Sequence, residues 1–196
     1  MKKQLGPSDA IFPVPAALIV CGTNENANII TLAWVGIASS TPPTIGISVR
    51  QSRYSLGLIR NTGEFSVNFP GASIFKEVDY CGITTGRRRN KFKDTGFTPM
   101  ASRKIKPPII KECPYNIECR VSQEIILGDY VHILGEIFES HVDEDKVDTS
   151  KRAGFDVLKI NPLVYFAEAR EYWSVGEKLG YGFNAGKDIK KKIKKP

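Results

Sequence analysis

Between Asn28 and Ser55 the chain reads NIITLAWVGIASSTPPTIGISVRQSRYS, and it gathers small hydroxyls and cations at one corner. Thr31, Ser39, Ser40, Thr41, Ser48, Ser52 and Ser55 are hydroxyl donors, and Arg50 and Arg53 flank the end of an apolar run. Ser55 is placed to open the helix that follows. A helix N-terminus with a hydroxyl and a guanidinium close by is a phosphate site, because unpaired backbone N–H groups and the helix dipole both favour an anion. Trp34 offers a flat apolar face for a planar ring. Lys91, in GRRRNKF, adds a further positive charge. A planar ring plus a phosphate describes a flavin mononucleotide. The same residues also admit a plainer account, with Trp34 in the core, Arg50 in a surface ion pair and Ser55 a simple N-cap.

Other chemistries lack their patterns. LGYGFNAGK places Gly180, Gly182 and Gly186 at the wrong spacing for a dinucleotide fingerprint, and Tyr181 stands where a Walker A loop needs glycine. There is no G-x-S-x-G and no H-E-x-x-H, so no motif supports a hydrolase. Cys21, Cys81, Cys113 and Cys119 form no C-x-x-C pair, and with only His132 and His141 no metal site has its ligand spacing. Cys113 and Cys119, in KECPYNIECRV, read either as packed thiols around a turn or as a thiol pair exchanging electrons.

The elements that must position these residues are mainly β. Residues 15–21, 28–38 and 44–50 read as strands, rich in Ile, Val and Thr and bounded by turn residues. Residues 54–62 read as a helix closed by Gly63, and EFSVNFP after it alternates as a half-buried strand. Residues 73–81 read as a short helix, and CGITTGRRRNKFKDTGF as a polar loop or helical excursion. Residues 116–143 read as two strands joined at Gly128-Asp129, and PLVYFAEAREYW as a closing strand and coil. Strands at short intervals with few helices between them favour an antiparallel barrel over a parallel doubly wound sheet.

Composition sets the outer bounds. The chain has 196 residues, 41% hydrophobic and 25% charged, which suits a globular domain and not a disordered one. No apolar run is long enough to span a membrane, and no long apolar stretch follows the basic N-terminus, so the expected location is the cytoplasm. Of the net +7, five charges sit in residues 187–196, KDIKKKIKKP. The expected organisation is one domain over 1–186 and a disordered basic tail over 187–196. The remaining body is too weakly basic for a nucleic-acid fold, and no nucleic-acid partner is expected. The tail itself reads as a solvated end or as a weak contact for an acidic surface.

FPVPAALIVCGT, NIITLAWVGIASSTPPTIGISVRQSRYS, IRNTGEFSVNFP, VDYCGITTGRRRNKF, PPIIKECPYNIECRV and LGDYVHILGEI follow one another in order. This series resembles the flavin reductase-like family, close to the flavoredoxins, from about Phe12 to Tyr172. The resemblance implies an FMN-binding split β-barrel of Greek-key type with peripheral helices. It implies a homodimer that holds FMN non-covalently near the dimer interface. By position, Asn28, Thr31, Leu32, Ala33 and Trp34 correspond to the strand along the flavin ring, and Ser48, Val49 and Arg50 to its neighbour. Arg53, Tyr54 and Ser55 correspond to the phosphate end, and Lys91 to a lysine at the flavin or its phosphate. Phe166 and Trp173 would close the site.

One departure matters for the electron donor. Many members of this family carry Gly-Asp-His in the hairpin, where the histidine meets a nicotinamide; here the triplet is Gly128-Asp129-Tyr130, with His132 two residues on. Positions 130 and 132 of a strand share a face. His132 is thus either a donor-site residue or a hydrogen-bonded barrel histidine, and NAD(P)H and a reduced protein both stand as donors. The implied activity is an FMN oxidoreductase or electron-transfer flavoprotein, passing electrons to a flavin, ferric or protein acceptor. The alternatives are a non-catalytic module that stores or senses flavin and a nucleic-acid-associated protein using the lysine tail.

Overall fold

The structure, a computed structural model, describes residues 1–187 and 189. The expected basic tail lies outside the described residues except at 187 and 189. The strands are β1 (Val14–Pro15), β2 (Ala17–Cys21), β3 (Asn28–Leu32), β4 (Val35–Ser40), β5 (Pro43–Arg50), β6 (Glu64–Phe69), β7 (Pro99–Met100), β8 (Ile109–Ile110), β9 (Tyr115–Leu127), β10 (Tyr130–Val142), β11 (Val164–Phe166) and β12 (Glu171–Trp173). The helices are α1 (Tyr54–Thr62), α2 (Phe75–Ile83), α3 (Lys91–Thr95) and α4 (Val157–Ile160).

Seven strands form one antiparallel sheet in the order β3-β2-β6-β9-β10-β5-β4. β5 precedes β6 in the chain yet pairs with β10, which is the Greek-key return. The fold is a split β-barrel. Residues 28–38, expected as one strand, are two strands on opposite edges of this sheet. The chain turns between them at Trp34, where Val35 N–H donates to the Ala33 carbonyl at 2.9 Å. That turn carries the chain from one outer strand to the other, so the sheet has to curl until its edges adjoin.

The continuous apolar run ALIVC of β2 is buried on both faces, as a strand between two cores must be. Ala17, Ile19 and Cys21 join the barrel core with Ile30, Ile47, Phe65, Val67, Val131 and Ile133. Leu18 and Val20 face the other way, onto Val78 and Cys81 of α2, Phe92 of α3 and Leu163. Leu56, Leu58 and Ile59 place α1 against the barrel core. Gly63 ends α1 with φ +67°, its N–H bonded to the Ile59 carbonyl.

The long hairpin forms as expected, β9 and β10 turning at Gly128-Asp129. The helix expected at 73–81 starts and ends two residues later, after a 3-10 turn over Ala72–Ile74. The polar excursion after it contains α3, capped by the Asn90 carboxamide, which accepts from Lys93 N–H at 3.1 Å.

Buried polar groups pin the sheet to its loops. Glu118 is fully buried and accepts from Arg103 N–H at 2.8 Å, Lys104 N–H at 2.6 Å and His141 Nε2 at 2.6 Å. Burial alone would raise its carboxyl, but these donors hold it below the usual carboxylate range. All four cysteines are buried free thiols. Cys113 and Cys119 sit in different cores, so they are packed thiols and not an exchanging pair.

Candidate functional site

The outer strand β3 runs between two clefts. The first, of about 90 Å³, lies at its Asn28 end and is lined by Ser52, Arg53, Tyr54, Ser55, Thr84, Thr85 and Gly86, with Asn28 and Lys91. One wall is the start of α1. No side chain caps that helix and its first turn holds no acid, which leaves its positive end free. Ser55 is not the residue that opens the helix. It is the second helical residue, buried, and its Oγ accepts from Asn28 Nδ2 at 2.8 Å. That bond ties the start of β3 to the start of α1.

The opposite wall is the loop after α2. Gly86 passes directly over Asn28, and a Cβ there would collide with the Asn28 carboxamide. Glycine is therefore what lets the backbone close over the cleft. Arg53 is exposed and forms no salt bridge among the described residues. Lys91 is buried, and Nζ donates to the carbonyls of Ile29 at 2.7 Å and Cys81 at 2.6 Å. Two of its three protons are thus committed to the frame, one to β3 and one to α2. Burial pushes Lys91 below its ordinary value, the thiols of Cys81 and Cys21 work against that, and Arg53 adds to the lowering. Burial also raises the Cys21 thiol to about 12, beneath the same cleft.

The second cleft, of about 190 Å³, lies at the other end of β3 and is lined by Thr31, Ala33 and Trp34, by Asp79, Gly82 and Ile83 of α2, and by Ala16, Tyr165 and Tyr172. Gly82 belongs to both clefts. From Asn28 to Trp34 the extended chain covers roughly 20 Å at about 3.3 Å per residue. Tyr165 and Tyr172 are register partners on β11 and β12, with ring centroids 4.9 Å apart. Tyr172 Oη donates to Asp79 at 3.2 Å, and burial raises its phenol well above the usual value.

Trp34 is exposed and stacks on Tyr130 at 6.2 Å, while Arg50 donates from Nε to the Tyr130 hydroxyl at 2.8 Å. Arg50 thus belongs with Trp34 and not with the phosphate-sized cleft. Ser48 pairs with His132 across β5 and β10, and its Oγ lies 2.8 Å from His132 Nδ1. The His132 ring lies on Gly46, where a Cβ would come within 2.8 Å of it. His132 is not among the residues lining either cleft. Leu32 and Val49 turn their side chains into the barrel core, so only their backbone groups remain for a ligand.

Phe166 and Trp173 meet edge to face at 5.5 Å, and Phe12 joins Phe166 at the same distance. Their strand neighbours Tyr165 and Tyr172 line the cleft in their place, because adjacent strand residues point to opposite faces. Thr84, Thr85, Gly86, Tyr165 and Tyr172 were not singled out by sequence reasoning. The TTG loop carried a usable signal, hydroxyls beside a glycine close to a cation. A separate, mainly apolar hollow of about 450 Å³, between Phe155, Leu158, Val175 and Tyr181, contains none of the expected site residues.

A chain so built can seat a phosphate at one end of β3 and a planar ring at the other. The model of the "Flavin reductase like domain" family matches residues 9–174. An uncharacterized protein of Archaeoglobus fulgidus is 38% identical over 137 residues, covering 69% of this chain and 77% of that protein. The structure of the flavoredoxin of Desulfovibrio vulgaris (Miyazaki F) superposes with a TM-score of 0.88 at 32% identity, covering 95% of this chain and all of that one. The flavoredoxin from Methanosarcina acetivorans gives 0.87 at 30% identity, with 96% and 100% covered.

Proposed function

Because the chain belongs to the flavin reductase-like family, with a flavin-related redox function, we propose that it is an FMN-binding oxidoreductase that holds its cofactor along β3. The observation that carries this reading is the pair of clefts, phosphate-sized and aromatic-lined, set end to end on one strand and joined at Gly82. The residues fit the group. The uncapped start of α1, Arg53, Ser52, Thr84 and Thr85 provide N–H, cationic and hydroxyl donors for a phosphate. Thr31, Ala33, Trp34 and the two tyrosines provide a mainly apolar bed for a ring.

The bound flavin would supply the hydride and electron chemistry, and the protein would supply binding, orientation and local charge. Asn28 holds Ser55, and Lys91 holds α2 against β3, so both clefts keep their spacing. Lys91 lines the phosphate-sized cleft, where its ammonium would favour an anionic group. No side-chain nucleophile is needed. Ile37 on β4 and Ile126 and Leu127 at the tip of β9 are 90%, 68% and 58% exposed, and such exposed apolar side chains support a homodimer. NAD(P)H or a reduced protein would be the electron source.

The test is anaerobic reduction of the FMN-loaded protein with NADH, NADPH and a reduced ferredoxin in turn. Rapid bleaching of the visible flavin band by one of them supports the oxidoreductase. Bound FMN that none of them reduces overturns turnover and leaves a flavin-holding module.

A further inference from the structure

The mainly apolar hollow of about 450 Å³ shares no residue with either cleft, and the flavin reading makes no use of it. Two segments build it: the loop that leads into α4 with the start of that helix, and the chain that follows β12. Phe155 is half-buried and anchored, its ring 5.2 Å from that of Tyr115 on β9. Val157 and Leu158 of α4 line the hollow and stay exposed, and Val175 lines it from the second segment. Its volume falls within the range of about 300–1,000 Å³ usual for small-molecule sites, and such sites are lined mainly by apolar side chains with a few polar groups.

Those polar groups carry one dominant sign. Three cations line the hollow, Lys151, Arg152 and Lys178, against one carboxylate. That carboxylate, Asp156, is already committed, because it accepts from Leu158 N–H at 2.9 Å and so caps α4. Asp148 reaches Lys151 only at 3.9 Å. Lys178 lies over the Tyr181 ring, 3.9 Å from its centroid, and Arg152 forms no salt bridge among the described residues. The Lys178 ammonium, and after it that of Lys151, hold the Tyr181 phenol below its ordinary value, as a positive field does. An apolar bed beside cations that lack counter-charges suits a molecule with an apolar body and one anionic head. The chain's own residues 187–196 are a poor occupant, since their net charge has the same sign as the lining.

We propose that this hollow is a second binding site, separate from the flavin, for an aliphatic monocarboxylate of medium chain length. Val157, Leu158 and Val175 take the methylenes, and Arg152 with Lys178 takes the carboxylate. The site does not depend on the flavin reading.

Calorimetric titration of the full chain with octanoate, hexanoate and octylammonium, with and without FMN, tests it in the wild type, Arg152→Gln and Leu158→Gln. One octanoate per chain is expected, bound roughly tenfold tighter than hexanoate for its two extra methylenes, with no binding of octylammonium. Arg152 and Leu158 are exposed and line neither flavin cleft, so both variants should fold and keep their FMN affinity. Each should weaken octanoate at least fivefold. No saturable octanoate binding, or octylammonium binding equally well, would overturn the site. Octanoate that FMN displaces would lie in the flavin clefts and overturn it too, as would binding that both variants leave unchanged. A wild-type dimer that Leu158→Gln turns into a monomer, with octanoate bound by neither, would give the hollow to a second copy of the chain and overturn the carboxylate. A chain that binds octanoate but no FMN would bring down the flavin reading alone, which separates the two failures.

Discussion

Lys91 donates to carbonyls from two different elements, Ile29 on β3 and Cys81 on α2. Its first duty is therefore to the frame, and its charge reaches the cleft from below. Lys91→Met should leave both carbonyls short of a donor in a buried place, at a cost of about 2–4 kcal/mol in urea unfolding. FMN affinity should fall with it, and Lys91→Arg should restore only part of either loss. Unchanged stability in Lys91→Met would contradict the latch. Arg53, Ser55 and Lys91 stood out in the sequence because hydroxyls and cations cluster where strands end, whereas Asn28 and Tyr54 entered only through the resemblance. Tyr165 and Tyr172 did neither, because a one-residue choice between strand faces needs the partner strand, and that pairing comes from β1 far away in the chain. The burial of Lys91 was equally hidden, since α2 and β3 meet only in the fold.

Among the elements, the turn at Trp34 decides the architecture. NIITLAWVGIA has the composition of one strand, and nothing local marks the break at Ala33-Trp34; the break exists because β3 pairs with β2 and β4 with β5, on opposite sheet edges. The strand order itself was legible only through resemblance, because long-range pairing leaves no local trace. The hairpin at Gly128-Asp129 and the helix ended by Gly63 were readable, because each is set by a short-range turn or cap. The loop Thr84–Gly86 offers an element-scale test. Gly86→Ala drives a Cβ into Asn28 and should lift the loop off the cleft. We expect FMN affinity to drop at least tenfold, with a stability loss of about 1–3 kcal/mol from overpacking. Tight FMN binding by Gly86→Ala would show that this loop does not cover the phosphate.

At the scale of the whole molecule, two cores share β2, and buried thiols sit in both. Burial raises Cys21 and Cys81 from 9.0 to about 12, and raises Cys113 and Cys119 as well. The folded chain keeps these protons where the unfolded chain releases them. The stability they give is complete below pH 9 and is lost as the pH climbs from 9 towards about 12. Each fully titrating thiol contributes a slope of about 1.4 kcal/mol per pH unit. Lys91 works in the opposite sense, since its lowered value makes folding more favourable as the pH approaches 10.5. One lysine does not offset four thiols, so urea midpoints should fall between pH 9 and 10.5, less steeply in Cys21→Ala; a flat profile would contradict the burial of these thiols. The exposed Ile37, Ile126 and Leu127 predict a dimer by light scattering, and Ile126→Arg should shift it towards monomer. A wild-type monomer would remove the dimer from the proposed function.

In the proposed function, β3 and the start of α1 hold a flavin mononucleotide. A fluorescence titration of the flavin-free protein with FMN, run on the wild type and on Arg53→Ala, tests it most directly. Saturable binding of one FMN per chain is expected, weakened roughly tenfold to a hundredfold in Arg53→Ala, the worth of about 1.4–2.8 kcal/mol for a charge-assisted phosphate contact. A wild type that fails to saturate, or an Arg53→Ala protein that binds FMN equally well, would contradict it.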